Sequence, residues 1–244
     1  MYFWLGKMIN LSVNINKIAT LRNARGGNNP NLIKMAEDIQ SYGAQGITVH
    51  PRPDERHIKY DDVRNLKHVV KKEFNIEGNP TPKFLKLVKE VRPDQVTLVP
   101  DGPESITSNS GWDTKSNLDY LTKIIKQLDD IGVRTSIFVD PDTEMVKYAS
   151  ETGCKRIELY TEPYAMNFSN GNKSIEQYVK CSNLANKLEM GINAGHDLNL
   201  NNIEYFASKM PYLDEVSIGH ALICESLYLG IQNVVNIYID KLNR

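Results

Sequence analysis

The chain repeats one pattern eight times: a short run of β-branched and other apolar residues is followed by a longer amphipathic stretch. The short runs have the length and composition of strands that are buried in a parallel sheet. The longer stretches have the apolar spacing of helices that pack one face against such a sheet. The 244 residues provide about 30 residues for each strand–helix unit, with no linker or low-complexity segment between the units.

The predicted strands and helices alternate along the whole chain. The strands are predicted at Leu11–Ile15, Gly46–His50, Phe74–Glu77, Gln95–Val99, Arg134–Val139, Arg156–Tyr160, Gly191–Ala194 and Glu215–Ile218. The helices are predicted at Asn31–Tyr42, Asp61–Glu73, Thr81–Val91, Ser116–Ile131, Thr143–Thr152, Lys173–Glu189, Asn201–Lys209 and Ala221–Leu242. Eight such units predict an α/β protein with a single (β/α)8 TIM barrel. A doubly wound sheet is the alternative, but no G-x-G-x-x-G follows the first strand.

We expect one barrel domain over residues 1–244, with residues 1–8 as an extension outside the core and Met8 as an alternative start. Lys and Arg (29) nearly balance Asp and Glu (30), which disfavours nucleic acid or an anionic membrane as a partner. The chain has no apolar run near the roughly 20 residues that span a bilayer, and no secretory signal. Three widely spaced cysteines without a C-x-x-C pair fit the reducing cytoplasm.

Four of the five histidines follow predicted strands, at the barrel end where active sites occur: His50, His57, His196 and His220. Such a group of histidines can exchange protons near neutral pH. Glu77 ends the third predicted strand and Glu158 lies inside the sixth, where a carboxylate is costly unless it is paired or used. For Glu158, a structural ion pair with Arg156 or with a neighbouring lysine is an equally good interpretation.

The spacing of these residues favours a metal-free site. No pair has the H-x-H or H-E-x-x-H spacing that places two ligands on one face of a strand or helix. A metal held by isolated histidines remains the weaker alternative. Cys154 precedes a predicted strand at the opposite rim, and Cys181 and Cys224 lie within predicted helices, so we do not expect a cysteine nucleophile.

Polar and cationic residues near the same end predict phosphate binding. Asn14 and Asn16 are predicted on one face of the first strand. They precede Arg22 and Arg25, whose guanidinium groups match phosphate oxygens unless they belong to a solvated helix face. The Gly26–Pro30 segment that follows has the composition of a mobile loop that can close over a substrate.

The loops after the second, seventh and eighth strands add to this prediction. Arg52 and Arg56 flank His57 in the second loop. The Gly219-His220 pair and the Asn193–His196 segment follow the eighth and seventh strands, where barrels often bind phosphate through backbone N–H groups.

Six segments of the chain resemble the pyridoxine 5′-phosphate synthase family, in order, from residue 11 to about residue 235. They are Val13–Gly26 (VNINKIATLRNARG), Gly46–Ile58 (GITVHPRPDERHI), Asn75–Glu77 (NIE), Leu98–Pro100 (LVP), Asn193–His196 (NAGH) and Ile218–Ala221 (IGHA). The resemblance implies a (β/α)8 barrel that condenses 1-deoxy-D-xylulose 5-phosphate with 3-amino-2-oxopropyl phosphate. The products are pyridoxine 5′-phosphate, phosphate and water. It also implies no metal or organic cofactor, and a homo-oligomer that is typically an octamer.

The resemblance also implies roles for individual residues. The proton acceptors are His50 and Glu77, the proton donor is His196, and Glu158 supports the transition state. The amino-ketone phosphate site includes Asn14, Arg25, Gly219 and His220. The deoxyxylulose phosphate site includes Arg52, His57 and Thr107.

The chain departs from the commoner family pattern in two places. Asn16-Lys17 stands where many members have Asp-His, a pair that is expected to contact deoxyxylulose phosphate. Asn keeps the hydrogen bond and Lys keeps a cation. Asp197 stands where many members have glycine in the substrate site. A contact through its backbone N–H tolerates this change, whereas a carboxylate that points inward would repel phosphate.

Two other functions remain open at this point. The first is another phosphosugar barrel enzyme, an isomerase or aldolase. A Schiff-base aldolase needs a lysine within a barrel strand, and none of the predicted strands has one at its centre. The second is a non-catalytic barrel that binds a phosphorylated metabolite. Binding alone does not require the three proton-transfer groups His50, Glu77 and His196.

Overall fold

A computed structural model describes residues 8–102, 108–169 and 174–244. Its strands are β1 (Asn10–Asn14), β2 (Gly46–Val49), β3 (Glu73–Gly78), β4 (Gln95–Leu98), β5 (Arg134–Val139), β6 (Arg156–Leu159), β7 (Gly191–Ala194) and β8 (Leu213–Ile218). Each strand pairs in parallel with the next one along the chain. The β8 strand pairs with β1, with Val216 opposite Leu11, and this closes the barrel. The predicted single (β/α)8 barrel is confirmed.

Helices separate the strands and surround the barrel. They are α1 (Asn16–Arg25), α2 (Leu32–Ser41), α3 (Tyr60–Val69), α4 (Pro82–Val91), α5 (Leu118–Asp129), α6 (Thr143–Glu151), α7 (Glu162–Met166), α8 (Glu176–Lys187), α9 (Ile203–Lys209), α10 (His220–Leu229) and α11 (Ile231–Leu242). The expected N-terminal extension lies outside the described residues except for Met8, whose side chain is exposed.

The helices differ from the sequence predictions in three places. The helices α1 and α7 were not predicted, because each follows a strand directly and α7 has only five residues. The predicted helix at Ala221–Leu242 is two helices, since Gly230 takes the left-handed conformation (φ +79°) that ends α10. The predicted helix at Asp61–Glu73 ends at Val69. Glu73 instead begins β3, because its N–H donates to the carbonyl of Gln45 (3.1 Å) at the edge of β2.

Alternate strand residues face two different environments. One set is apolar and fully buried against the helices, as Val13, Ile47 and Ile76 show, and it forms the main hydrophobic core. The other set is mostly polar, with Phe138 as an apolar member, and faces the barrel axis. The hydroxyl groups of Ser12 and Thr48 lie 2.7 Å apart in this interior. Further toward the N-terminal ends of the strands, charged and amide side chains form a second polar layer: Glu73, Gln95, Arg134, Arg156, Asn193 and Glu215.

Arg22, which the sequence suggested as a phosphate ligand, instead forms an ion pair with Asp62. Its guanidinium donates to both carboxylate oxygens of Asp62, at 2.6 and 2.8 Å, and the residue is only 6% exposed. Asp62 also accepts from the N–H of Lys59 (2.8 Å) at the beginning of α3. The pair therefore ties α1 to α3 on the outside of the barrel.

We expect Asp62→Ala to lower the free energy of unfolding by about 3 kcal/mol, because it leaves a buried guanidinium without its carboxylate. Unfolding in urea, followed by circular dichroism, measures this change. The control is Asp38→Ala, which removes the partner of the exposed Lys34 (2.9 Å) and should have a much smaller effect. Equal losses in the two variants would contradict a structural role for the Arg22–Asp62 pair.

Candidate active site

A pocket of about 440 Å³ opens at the C-terminal ends of the strands. It is lined by most of the predicted site residues: Asn14, Asn16, Lys17, His50, Arg52, His57, Glu77, Glu158, His196, Asp197, Gly219 and His220. Arg25 does not line it, because it ends α1 with an exposed side chain. Thr107 lies outside the described residues.

Asn14 and Asn16 form two consecutive hydrogen bonds at the bottom of the pocket, which connect the end of β1 to the loop after β2. Asn14 ends β1, but the prediction that Asn16 continues the same strand face is wrong, because Asn16 begins α1. The Asn14 side-chain oxygen accepts from the N–H of Asn16 (3.0 Å). The Asn16 side-chain oxygen in turn accepts from the N–H of His50 (2.9 Å). These bonds fix the start of the loop after β2 relative to β1.

A histidine and a carboxylate lie next to each other in the pocket. The Nδ1 atom of His50 is 3.9 Å from Oε2 of Glu77, and both side chains are largely buried. The same Glu77 oxygen accepts from the Asn14 amide (3.3 Å). The two groups are close enough for one ligand that lies beside them to contact both.

Burial sets the charge of this pair. Desolvation, followed by the charges of Arg52 and His57, lowers the pKa of His50 to about 3, so its imidazole is neutral at pH 7. Desolvation, followed by the negative charge of Glu158, raises the pKa of Glu77 well above its usual value. The imidazole is therefore unprotonated and free to accept a proton at pH 7, and the raised pKa makes the Glu77 carboxylate a stronger base than an exposed one.

Glu158 lies deeper in the barrel. It is 5% exposed, and its Oε2 atom has no hydrogen-bond partner among the residues that the structure describes. Burial raises the pKa of Glu158 to about 7, although the charge of His196 acts against this shift. Arg156 donates instead to the side-chain oxygen of Asn193 (2.9 Å). The structure thus favours the pocket over an ion pair with Arg156 as the place where Glu158 acts.

His196 follows β7 and is held from several sides. Its Nδ1 atom is 3.0 Å from Oδ2 of Asp197. The Thr161 hydroxyl donates to the His196 carbonyl. The Tyr160 ring meets the imidazole edge-on, with centroids 5.4 Å apart. Although burial alone would lower it, the pKa of His196 is raised by the hydrogen bond and charge of Asp197 and by nearby glutamates.

Arg52, Lys17 and His57 line the part of the pocket that follows β1 and β2. Arg52 is 6% exposed and donates to Oδ2 of Asp101 (2.8 Å). Burial, followed by the charge of Lys17, lowers the pKa of His57. The Nδ1 atom of His57 is 2.7 Å from the Thr20 hydroxyl. This part of the pocket can receive an anionic group of a ligand.

Two glycines keep the loops after β7 and β8 close to the strands. A Cβ atom on Gly195 would lie 2.1 Å from the carbonyl oxygen of Ser217, so this position accepts no side chain. A Cβ atom on Gly219 would lie 3.1 Å from Cβ of Asn14. Gly219 is the N-cap of α10, so the first N–H groups of this helix begin at the pocket. This is the usual position of a phosphate at a helix N-terminus.

Sequence reasoning missed three polar residues of the pocket region. Asp101, which pairs with Arg52, also accepts from the hydroxyl of Ser108 (2.7 Å), and Ser108 lines the pocket. Glu162 begins α7 and lines the pocket near His196. Asp101 and Glu162 each follow a predicted strand by two residues, so the rule that located the histidines could have found them.

Within the described parts of the chain, no group of three or more His, Cys, Asp and Glu side chains is arranged to hold a metal ion. In those same parts, every helix is too short or too polar to cross a membrane.

Comparisons with known proteins agree over nearly the whole chain. The model of the family described as pyridoxal phosphate biosynthesis protein PdxJ matches residues 11–244. A curated relative from Flavobacterium johnsoniae, named pyridoxine 5′-phosphate synthase, is 61% identical over 96% of this chain and 100% of its own. A relative of the same name from Cytophaga hutchinsonii is 56% identical over 97% and 100%.

Solved structures show the same fold at low sequence identity. The 3-keto-L-gulonate-6-phosphate decarboxylase from Vibrio cholerae matches with a TM-score of 0.65 over 97% of this chain and 98% of its own, at 10% identity. This likeness concerns the barrel alone, whereas the sequence matches extend through the loops that form the pocket. The chain therefore belongs to the family of the pyridoxal phosphate biosynthesis protein PdxJ.

Proposed function

We propose that this protein is a pyridoxine 5′-phosphate synthase. It condenses 1-deoxy-D-xylulose 5-phosphate with 3-amino-2-oxopropyl phosphate and releases pyridoxine 5′-phosphate, phosphate and water, without a metal or an organic cofactor. Family membership and the names of relatives with up to 61% identity support this proposal. The free cysteines Cys154, Cys181 and Cys224 agree with the cytoplasm as its location.

The observation that carries the proposal is that the pKa values of two histidines in one pocket are shifted in opposite directions. Burial keeps His50 neutral at pH 7, as a proton acceptor. The carboxylates around His196 favour its imidazolium form, as a proton donor. The condensation adds an amine to a ketone, loses water, eliminates phosphate and closes a ring onto a second carbonyl. Each step moves a proton, so a site with a base and an acid at separate positions is suited to this sequence.

Glu77 and Glu158 extend this proton inventory. Glu77 would receive the proton that the His50 imidazole takes from the substrate. Oε2 of Glu77 lies 3.9 Å from Nδ1 of His50, and the raised pKa of Glu77 makes its carboxylate the stronger base of the two. Glu158, whose pKa is raised to about 7 by burial, would stabilise positive charge that develops on the substrate between His50 and His196.

Two phosphorylated substrates require two anion sites, and two groups of pocket residues can supply them. The first consists of the backbone N–H groups at the start of α10, with Gly219 and His220. The second consists of Lys17, Arg52 and His57. We assign the amino-ketone phosphate to the first site and deoxyxylulose phosphate to the second, which follows the family resemblance.

The direct test mixes both substrates with the purified protein and detects pyridoxine 5′-phosphate by mass spectrometry. Formation of the product only when both substrates are present supports the proposal. A protein that binds both phosphates but forms no product would be the non-catalytic alternative, and isomerisation of one substrate alone would favour a different phosphosugar enzyme.

We expect His50→Asn and Glu77→Gln each to keep the fold and to lower kcat by roughly 100-fold or more, which is the usual scale of general acid–base assistance. Steady-state kinetics and circular dichroism measure the two properties. The matched controls are His68→Asn on the exposed face of α3 and Glu90→Gln on α4, which should leave kcat unchanged. Near-normal turnover in a folded His50 or Glu77 variant would remove that residue from the mechanism.

We expect Lys17→Met to raise KM for deoxyxylulose phosphate by roughly 10- to 150-fold, because a charge-assisted contact is lost. Lys17 is half-buried, lines the pocket, and is close enough to His57 for its charge to influence that imidazole. KM for the amino ketone should stay nearly the same. Lys34→Met, on the exposed face of α2, is the control. An unchanged KM for deoxyxylulose phosphate would make Lys17 a bystander.

We also propose that the protein is a homo-oligomer, an octamer by family resemblance, and that α10 contributes to an interface between copies. The side chains of Leu227 and Tyr228 on this helix are 73% and 88% exposed. Adjacent apolar side chains that are this exposed are typical of an association surface.

The double variant Leu227→Glu, Tyr228→Glu should form a smaller assembly than the natural protein, because it places two charges on this surface. Size-exclusion chromatography with light scattering measures the mass. The control is Tyr212→Glu, a 50% exposed residue just before β8 and outside α10, which should leave the mass unchanged. An unchanged mass in the double variant would exclude this part of α10 as an interface.

A further inference from the structure

We infer that Asp197 is a positioning residue for His196, whose carboxylate holds Nδ1 of the imidazole so that Nε2 becomes the atom that delivers the proton. This inference rests on the proposed function, in which His196 is the proton donor. It replaces the expectation from the family resemblance that Asp197 acts as part of the substrate site. The 3.0 Å contact between His196 Nδ1 and Asp197 Oδ2 is its starting point.

The loop around His196 leaves the imidazole few ways to move. Gly195 lies against the backbone of Ser217, and the Thr161 hydroxyl donates to the His196 carbonyl, so the backbone is fixed on both sides. The edge-on Tyr160 ring limits the plane of the imidazole. These contacts do not determine which ring nitrogen of His196 points toward Asp197 and which points toward the substrate. The carboxylate of Asp197 makes that selection, because it accepts a hydrogen bond from Nδ1–H.

The backbone conformation at Asp197 does not require an aspartate side chain. Its φ is +66°, in the left-handed region that glycine adopts without strain. The amides of Asn199 and Asn202 donate to its carbonyl oxygen, at 3.3 and 3.4 Å, and these bonds would hold any residue at this position. The turn therefore does not need a carboxylate. The partner that the structure shows for this carboxylate is His196.

Charged groups from several elements face the imidazole. Glu158 comes from β6, Glu162 from the beginning of α7, and Asp197 from the loop after β7. Asp197 combines its charge with a direct hydrogen bond to the ring. The charge of His220, at the beginning of α10, also acts on the Asp197 carboxylate.

The titration of the pair agrees with this geometry. Burial opposes the imidazolium form, but the bond to Asp197 and the surrounding carboxylates raise the pKa of His196. The bond from His196 lowers the pKa of Asp197, against the effect of burial, so the carboxylate stays ionised. A proton donor must be protonated to act, so the raised pKa keeps His196 competent to a higher pH. Loss of the Asp197 charge should then move the alkaline fall of activity to lower pH.

Two variants separate charge from orientation. Asp197→Asn tolerates the left-handed backbone and keeps an oxygen that accepts from Nδ1–H, but it lacks the charge. Asp197→Gly suits the backbone and removes both the charge and the hydrogen bond. Neither change should lower Tm, because the backbone bonds from Asn199 and Asn202 remain.

The experiment measures kcat/KM from pH 6 to 9 for the natural protein and both variants. It also follows the titration of the histidine C2–H signals by NMR, with the His196 signal assigned from its loss in His196→Gln. We expect kcat/KM at pH 8.5 to fall by roughly two- to five-fold more than at pH 6.5 in Asp197→Asn, which is the scale of a partly exposed ion pair. Asp197→Gly should show the same shift and a lower kcat at every pH. The His196 signal should titrate at lower pH in both.

Three results would overturn the inference. The first is a His196 titration and a pH profile that are unchanged in both variants. The second is a rise in KM for the amino ketone with an unchanged alkaline limb, which would make Asp197 a substrate contact. The third is a fall in Tm with activity reduced equally at all pH values, which would indicate a purely structural residue. The NMR measurement needs no turnover, so it decides the coupling of Asp197 to His196 even if the protein forms no pyridoxine 5′-phosphate and the proposed function fails.

Discussion

Closure of the barrel between β1 and β8 is the constraint on which the site depends. The pairing of Leu11 with Val216 joins strands from the two ends of the chain. Because all strands run parallel, closure brings every loop that follows a strand to the same rim. Asn14 and Gly219, more than 200 residues apart, thus come so close that a Cβ atom on Gly219 would lie 3.1 Å from Cβ of the asparagine. A break in this pairing would separate the two sides of the pocket.

The polar interior of the barrel has electrostatic consequences at the site. Apolar side chains fill the layer between strands and helices, so the axis is free to hold hydroxyl, amide and charged groups. Glu77 and Glu158 lie where this interior meets the pocket. Their carboxyl groups are removed from water, which raises the pKa of both. The arginines Arg134 and Arg156 are engaged nearer the N-terminal ends of the strands by Gln95 and Asn193. The pocket therefore keeps two carboxyl groups whose pKa values lie above the usual range, with that of Glu158 at about 7.

Environment, rather than residue type, separates the roles of two histidines on the same rim. His50 is enclosed and surrounded by cations, including Arg52, which favours the neutral imidazole. His196 lies beside Asp197 and faces glutamates, which favours the imidazolium. The pKa values of two identical side chains are therefore shifted in opposite directions within one pocket, which suits the acid and base roles proposed for them. The cations around His50 also lie where an anionic substrate group is expected. Binding of that group and protonation of His50 are therefore linked.

The sequence by itself determined the barrel and most of the rim. Strand length, apolar spacing and glycine helix ends are local properties, and the parallel arrangement makes the end of each strand a rim position regardless of tertiary detail. That is why His50, Glu77 and His196 could be placed in the pocket before any coordinates. Tertiary structure alone decided the pairing of side chains, because partners such as Arg22 and Asp62 are distant in sequence and meet only through packing. It likewise decided which groups hold a proton, since desolvation and neighbouring charge depend on distances that no local pattern contains.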